Sequence, residues 1–183
     1  MRHGLPLAYP GMKIGLFGGS FDPAHDGHAH VAETALKRLG LDQVWWLVTP
    51  QNPLKSQSSP LKKRLASAQV HAHGARMVVT DLETQLGCAY TYQTLRALKA
   101  RYPGVAFTFV MGADNLAGFR RWKNWREVAQ AVPIAVVSRP GTGLRARRAA
   151  PSGWIWLNAR HNPKSSTALR AARRRAVAKP DRR

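Results

Sequence analysis

A single cysteine among 183 residues, Cys88, excludes an internal disulfide framework and fits a reducing compartment. It reads as a small buried hydrophobe rather than a nucleophile. No apolar run approaches the roughly 20 residues that a bilayer span requires, so a membrane helix is excluded. The opening MRHGLPLAYPGMK lacks the apolar core of a secretory signal, and a cytoplasmic location is expected. Carboxylates are scarce as well: 9 Asp and Glu face 29 Lys and Arg, formally +20. Such a field attracts polyanions, so nucleic acid, acidic membrane surfaces and nucleotide phosphates are the candidate partners. The imbalance is greatest from Arg139 onward, where 13 basic residues accompany one acid, Asp181. Residues 159–183 contain no aromatic, although single-strand binders interleave rings with their cations. Nucleic-acid binding is therefore expected to be nonspecific at most.

What is present suffices for one folded domain: 44% of residues are hydrophobic and 8% aromatic. Apolar runs predict strands over 12–17, 44–48, 77–80, 105–111, 133–138 and 154–158. Helices are expected from near Ala24 to Leu39, through Lys62–Arg64 into the low seventies, over 91–100 and 125–131, and from near Ser165. RPGTGLRARRAAPSG, 139–153, reads as a loop. The domain is expected over 12–178, with an extension at 1–11 and a basic tail at 179–183. Alternating strands and helices in the first half predict an α/β fold whose mostly parallel sheet is covered on both faces. Ligands of such sheets bind at the carboxyl ends of the strands. The distinctive polar segments lie there: GGSFDPAH, PQNPLK and GADN.

In the first of these, Gly18 and Gly19 let the backbone turn and approach a ligand without Cβ interference. Asp22-Pro23 aims the next helix, whose free N–H groups and positive dipole end face the same place. His25 and His28, three residues apart, project from one side of its first turn. Backbone donors, a helix start and two imidazoles make a site for polyphosphate. A zinc site also uses histidines, but no carboxylate or thiolate at defined spacing accompanies these, and no metal ligand is assigned. A core-facing role for His28, one turn before Ala32, stays open. His30 falls off the shared face, and His71 and His73 read as surface residues without partners. The loop lacks the Gly-Lys-Ser/Thr of a Walker loop and is not G-x-G-x-x-G.

The second constellation is PKSSTALR, 163–170. Ser165 or Ser166 suits an N-cap, and Arg170 shares a face with Ser166 and Thr167. Hydroxyls, N–H groups and a guanidinium form a second phosphate corner. By itself such a Ser-Ser-Thr is an ordinary cap. With the first loop, two helix starts grip one triphosphate.

GGSFDPAHDGH resembles the G-x-F-D-P-x-H-x-G-H signature of the HIGH-motif nucleotidyltransferase superfamily, and SSTALR its Ser-Ser/Ala-Thr-x-Ile/Leu-Arg segment. Between them PQNPLK, AYTYQTL, GADNL, Trp122 and SRPG occur in the order found in bacterial nicotinate-nucleotide adenylyltransferases. The resemblance implies a Rossmann-like three-layer sandwich and adenylyl transfer from ATP to nicotinate mononucleotide, in NAD biosynthesis, without a covalent intermediate. It implies that Gly18, Gly19, Ser20, Phe21 and Asp114 contact the nucleotide. His25, His28 and Arg170 are implied to be catalytic, with Ser166 and Thr167 holding phosphates and Mg²⁺ arriving with ATP. Asn52, Lys55, Tyr90, Thr91 and Trp122 are implied to bind the mononucleotide. A monomer or small homo-oligomer is expected. HNPKSST departs from the family's aliphatic approach to its serines, and the chain lacks the family's aliphatic and aromatic C-terminal end. Pantetheine-phosphate and nicotinamide-mononucleotide adenylyltransferases are the neighbouring alternatives, and a basic nucleic-acid-binding protein is the one from another class.

Overall fold

A computed structural model of the chain describes residues 5–50, 58–138, 147 and 150–158. Its strands are β1 (Lys13–Gly19), β2 (Gln43–Val48), β3 (Met77–Thr80), β4 (Ala106–Gly112), β5 (Ile134–Val137) and β6 (Ile155–Leu157). Its helices are α1 (Asp26–Arg38), α2 (Leu61–His71), α3 (Leu82–Gln85), α4 (Thr91–Arg101), α5 (Ala113–Leu116) and α6 (Trp125–Ala131), with a 3₁₀ turn at Phe119–Arg121. The strands form one sheet in the order β3-β2-β1-β4-β5-β6, and every pairing among the described residues is parallel.

Strand periodicity builds two cores on this sheet. Phe17, Val44, Trp46, Val48, Val110, Ala135 and Val137 point to one face, where α1 and α2 supply Val31, Ala32, Ala35, Leu36 and Ala68. Ile14, Leu16, Trp45, Leu47, Phe107, Phe109, Ile134 and Val136 point to the other, against Leu95, Leu98 and Val128 of α4 and α6. The chain before β1 joins this second core through Leu5, Ala8 and Met12, and Tyr102 Oη donates to the Pro6 carbonyl at 2.7 Å.

From β1 the chain runs outward through β2 to β3, then returns to pair β4 with the other side of β1, Phe17 opposite Val110. That reversal opens a crevice at the carboxyl ends of β1 and β4, where ligands bind in such sheets. The three-layer, parallel-sheet expectation is met. The single-turn α3 and α5 and the 3₁₀ turn were not expected. The helix expected near Ser165 lies outside the described residues. No helix among the described residues is long and apolar enough to cross a membrane.

Candidate active site

The turn after β1 is held by side chains that also bear chemistry. Gly19 closes the strand because Phe21 folds back over it: a Cβ there would stand 3.0–3.2 Å from three carbons of the Phe21 ring. Phe21 is 1% exposed and has φ +45°, the left-handed region that non-glycine residues seldom occupy. Its ring packs edge-on to Phe17 (5.4 Å), tilted on Trp46 (5.1 Å) and edge-on to His28 (5.0 Å).

Helix α1 starts two residues later than the sequence suggests, because His25 is its N-cap. His25 Nδ1 accepts the Gly27 N–H at 3.0 Å, and His28 Nδ1 accepts the His25 N–H at 3.3 Å. A ring nitrogen that accepts carries no proton, so both imidazoles bear theirs on Nε2 when neutral. The ring centroids are 3.9 Å apart. His25 is buried and His28 half-buried, and His30 lies half-buried outside this ring pair.

The turn is anchored from behind by Arg64, which is 2% exposed. Its Nε donates to Ser59 O (2.7 Å), Nη1 to Ser20 O (3.0 Å) and Thr49 O (2.6 Å), and Nη2 to Pro50 O (2.6 Å). Burial pulls its pKa below the usual arginine value, and the Asp22 carboxylate opposes that. Asp22 Oδ2 accepts the Ser59 N–H at 3.0 Å, Ser67 Oγ accepts the Ala24 N–H at 3.0 Å, and Thr49 donates through N–H and hydroxyl to Gly19 O.

Tyr90 and Thr91 open α4, where the Gln93 side chain accepts the Tyr90 N–H at 3.1 Å. One turn on, the Thr94 hydroxyl donates to Glu83 Oε1 at 2.9 Å. Burial pushes the Glu83 carboxyl above its ordinary value, while hydrogen bonds from Thr94 and Thr49 oppose that. The Lys123 ammonium stands 4.6 Å over the Tyr90 ring, tying this corner to the turn that carries Trp122. Trp122 is half-buried and packs edge-on to Phe109 (5.9 Å) and tilted on Phe119 (5.3 Å). Asp114 is exposed in the first turn of α5, directly beyond β4. Among the described residues, no group of three His, Cys, Asp or Glu is placed to hold a metal ion.

Two comparisons decide the family. A family model described as cytidylyltransferase-like matches residues 16–172. A "probable nicotinate-nucleotide adenylyltransferase" of Caulobacter sp. (strain K31) is 50% identical, covering 87% of this chain and 97% of its own. One of the same name from Roseobacter denitrificans is 47% identical, covering 93% and 98%. The chain belongs to the nicotinate-nucleotide adenylyltransferase family, within the cytidylyltransferase-like group. Among solved structures, the Plasmodium falciparum nicotinic acid mononucleotide adenylyltransferase complexed with NaAD shares its fold, with a TM-score of 0.69 at 16% identity, covering 94% of this chain and 86% of that one.

The adenylyltransferase resemblance read from the motifs is thus borne out at the level of family, fold and enzyme class. Of the residues it singled out, Gly18, Gly19, Ser20, Phe21, His25 and His28 lie on one stretch from the end of β1 to the first turn of α1. Tyr90, Thr91, Trp122 and Asp114 sit on α4, the turn before α6, and α5. Asn52, Lys55, Ser166, Thr167 and Arg170 lie outside the described residues. Cys88 is buried as expected, its thiol pushed up by burial. One expectation is corrected: His71 has a partner, its Nδ1 lying 3.2 Å from Asp26 Oδ1. Sequence reading also passed over Arg64 and Glu83. For Arg64 a signal existed, since it shares a helical face with the buried Ala68, one turn on.

Proposed function

We propose that the chain transfers the adenylyl group of ATP to nicotinate mononucleotide, forming nicotinate adenine dinucleotide and releasing pyrophosphate. The observation that carries this reading is the doubly capped start of α1, at the sheet's switch point, where two imidazoles each use Nδ1 as an acceptor for a backbone N–H. A phosphate oxygen of the mononucleotide attacks the α-phosphorus of ATP. The bond from that phosphorus to the β-phosphate oxygen breaks, and its electron pair leaves with pyrophosphate. The attacking phosphate is already ionised near neutrality, so no general base is needed, and positioning and charge stabilisation do the work.

In this reading His25 and His28 donate from Nε2 to phosphoryl oxygens as charge builds on them. Backbone groups of Gly18, Gly19, Ser20 and Phe21 line the nucleotide, with Asp114 near it. Ser166, Thr167 and Arg170 take the β- and γ-phosphates. Mg²⁺ enters with ATP as part of that substrate, and the histidine pair supplies hydrogen-bond donors. Tyr90 and Thr91 frame the pyridine ring, Trp122 stacks on it, and Asn52 and Lys55 bind the mononucleotide, with Lys55 attracting its phosphate. Aromatic faces suit a flat ring better than a flexible pantetheine arm. The protein works in the cytoplasm as a monomer or small homo-oligomer, and its contacts with nucleic acid are nonspecific and salt-sensitive.

The test is a coupled pyrophosphate-release assay with ATP, Mg²⁺ and one acceptor at a time: nicotinate mononucleotide, nicotinamide mononucleotide or phosphopantetheine. Nicotinate mononucleotide is expected to give the highest kcat/KM. Folded protein that turns over none of them overturns the enzyme reading, and a preference for another acceptor overturns the substrate.

A further inference from the structure

Lys62, Lys63 and Arg64 are consecutive, yet the lysines are exposed and Arg64 is buried. A buried cation has to be matched by hydrogen bonds, and here each acceptor is a backbone carbonyl. Those carbonyls come from three separate stretches: Ser20 in the turn after β1, Thr49 and Pro50 at the end of β2, and Ser59 ahead of α2. Asp22, in the same turn as Ser20, binds the Ser59 N–H and so closes the ring from its other side.

Core filling does not account for this arrangement, because an apolar side chain of similar length serves packing as well or better than a buried charge. The arginine adds geometry. A planar fork of fixed donors holds several carbonyls at set separations, which the compact ammonium of lysine does not. The carbonyls belong to the main chain, so fixing them fixes the loops. Ser20 directly precedes Phe21, whose ring lies 5.0 Å from that of His28. A displacement of the Ser20 carbonyl is transmitted through Phe21 to the histidine pair.

We infer that Arg64 is a positioning residue for the adenylyl-transfer site: one guanidinium sets the β1–α1 turn and the end of β2 relative to each other. It touches neither substrate. The role rests on the function proposed above, since it acts on the turn assigned there to ATP.

The test compares wild type with Arg64→Met, Arg64→Lys and Arg64→Ala in three measurements: steady-state kinetics with ATP, Mg²⁺ and nicotinate mononucleotide, thermal melting, and amide exchange of a peptide covering residues 18–26. In folded Arg64→Met and Arg64→Lys, kcat is expected to fall at least tenfold, the KM for ATP to rise, and the 18–26 amides to exchange faster while β4 amides do not. Low-millimolar guanidinium is expected to restore part of the kcat lost in Arg64→Ala. Wild-type kcat in folded Arg64→Lys or Arg64→Met overturns the inference. So does a loss of activity that follows the unfolded fraction and resists guanidinium. If wild type itself lacks transferase activity, the proposed function falls and exchange alone decides: faster 18–26 amides in Arg64→Met support the positioning role, and unchanged ones overturn it.

Discussion

The His28 ring holds the backbone of His25: its Nδ1 accepts the His25 N–H at 3.3 Å, while His25 Nδ1 accepts the Gly27 N–H at 3.0 Å. Each imidazole spends one nitrogen on the first turn of α1, and that bond puts the ring's proton on the other. Capping and proton placement are therefore one device.

The two roles of His28 separate by substitution. Asparagine places an acceptor near the Nδ1 position but has nothing at Nε2; alanine has neither. His28→Asn is expected to melt within about 2 °C of wild type, and His28→Ala to lose roughly 1 kcal/mol of capping, or about 2–4 °C. Both are expected to lose about 10²-fold or more in kcat, the size of a missing transition-state donor. Pyrophosphate release and melting curves check this, and near-wild-type turnover in His28→Asn would leave the ring a purely structural part.

Gly19→Ala acts through a neighbour. The added methyl meets the Phe21 ring at 3.0–3.2 Å, and Phe17, Trp46 and His28 pack around that ring. Overpacking of this kind costs about 1–3 kcal/mol, so a melting point lower by several degrees is expected. Because the displaced ring contacts His28, kcat is expected to drop about tenfold at temperatures where the variant is fully folded. Melting of Gly18→Ala serves as the control for the packing effect, since a Cβ there meets Phe109 only at 3.5 Å, an ordinary contact.

The parts of this fold that the sequence shows plainly are those written in one local period. β3 and α6 were expected over the spans they occupy, 77–80 and 125–131, because buried parallel strands are continuous apolar runs and α6 lies between Lys123-Asn124 and Pro133. The single-turn α3 and α5, four residues each, are too short to show a period of 3.6. The turn from Gly18 to His28 was legible because its chemistry is contiguous. The role of Arg64 was not legible because its partners are carbonyls 5 to 44 residues away, and carbonyls leave no mark on sequence. The His71–Asp26 pair was missed for a related reason: it joins α1 to α2, and no local spacing records that packing.

Trp122 offers a test of acceptor recognition. Phe109 and Phe119 fix its indole, so its orientation is set before substrate arrives. Stacking on a pyridine ring is worth about 0.5–1.5 kcal/mol, so Trp122→Ala is expected to raise the KM for nicotinate mononucleotide roughly threefold to tenfold. The KM for ATP is expected to change little, and Trp122→Phe to recover most of the loss. Initial-rate kinetics with each substrate varied in turn distinguish this from general loosening, which raises both KM values together.

Glu83 gives a pH dependence of defined sign. Burial is the largest influence on its carboxyl and raises its pKa, outweighing the hydrogen bonds from Thr94 and Thr49. The folded state therefore keeps a proton over a pH range in which the unfolded chain has released it. Its stabilising contribution is fully present below the ordinary glutamate value and is lost as pH rises through the raised one. Glu83→Gln keeps an acceptor for the Thr94 hydroxyl and carries no charge at any pH. The variant is expected to match wild type on the acid side of that window and to become relatively more stable as pH climbs through it. Melting temperatures of both proteins in matched buffers across the window give the difference directly. A difference that stays constant with pH would mean that Glu83 titrates alike in the folded and unfolded chains.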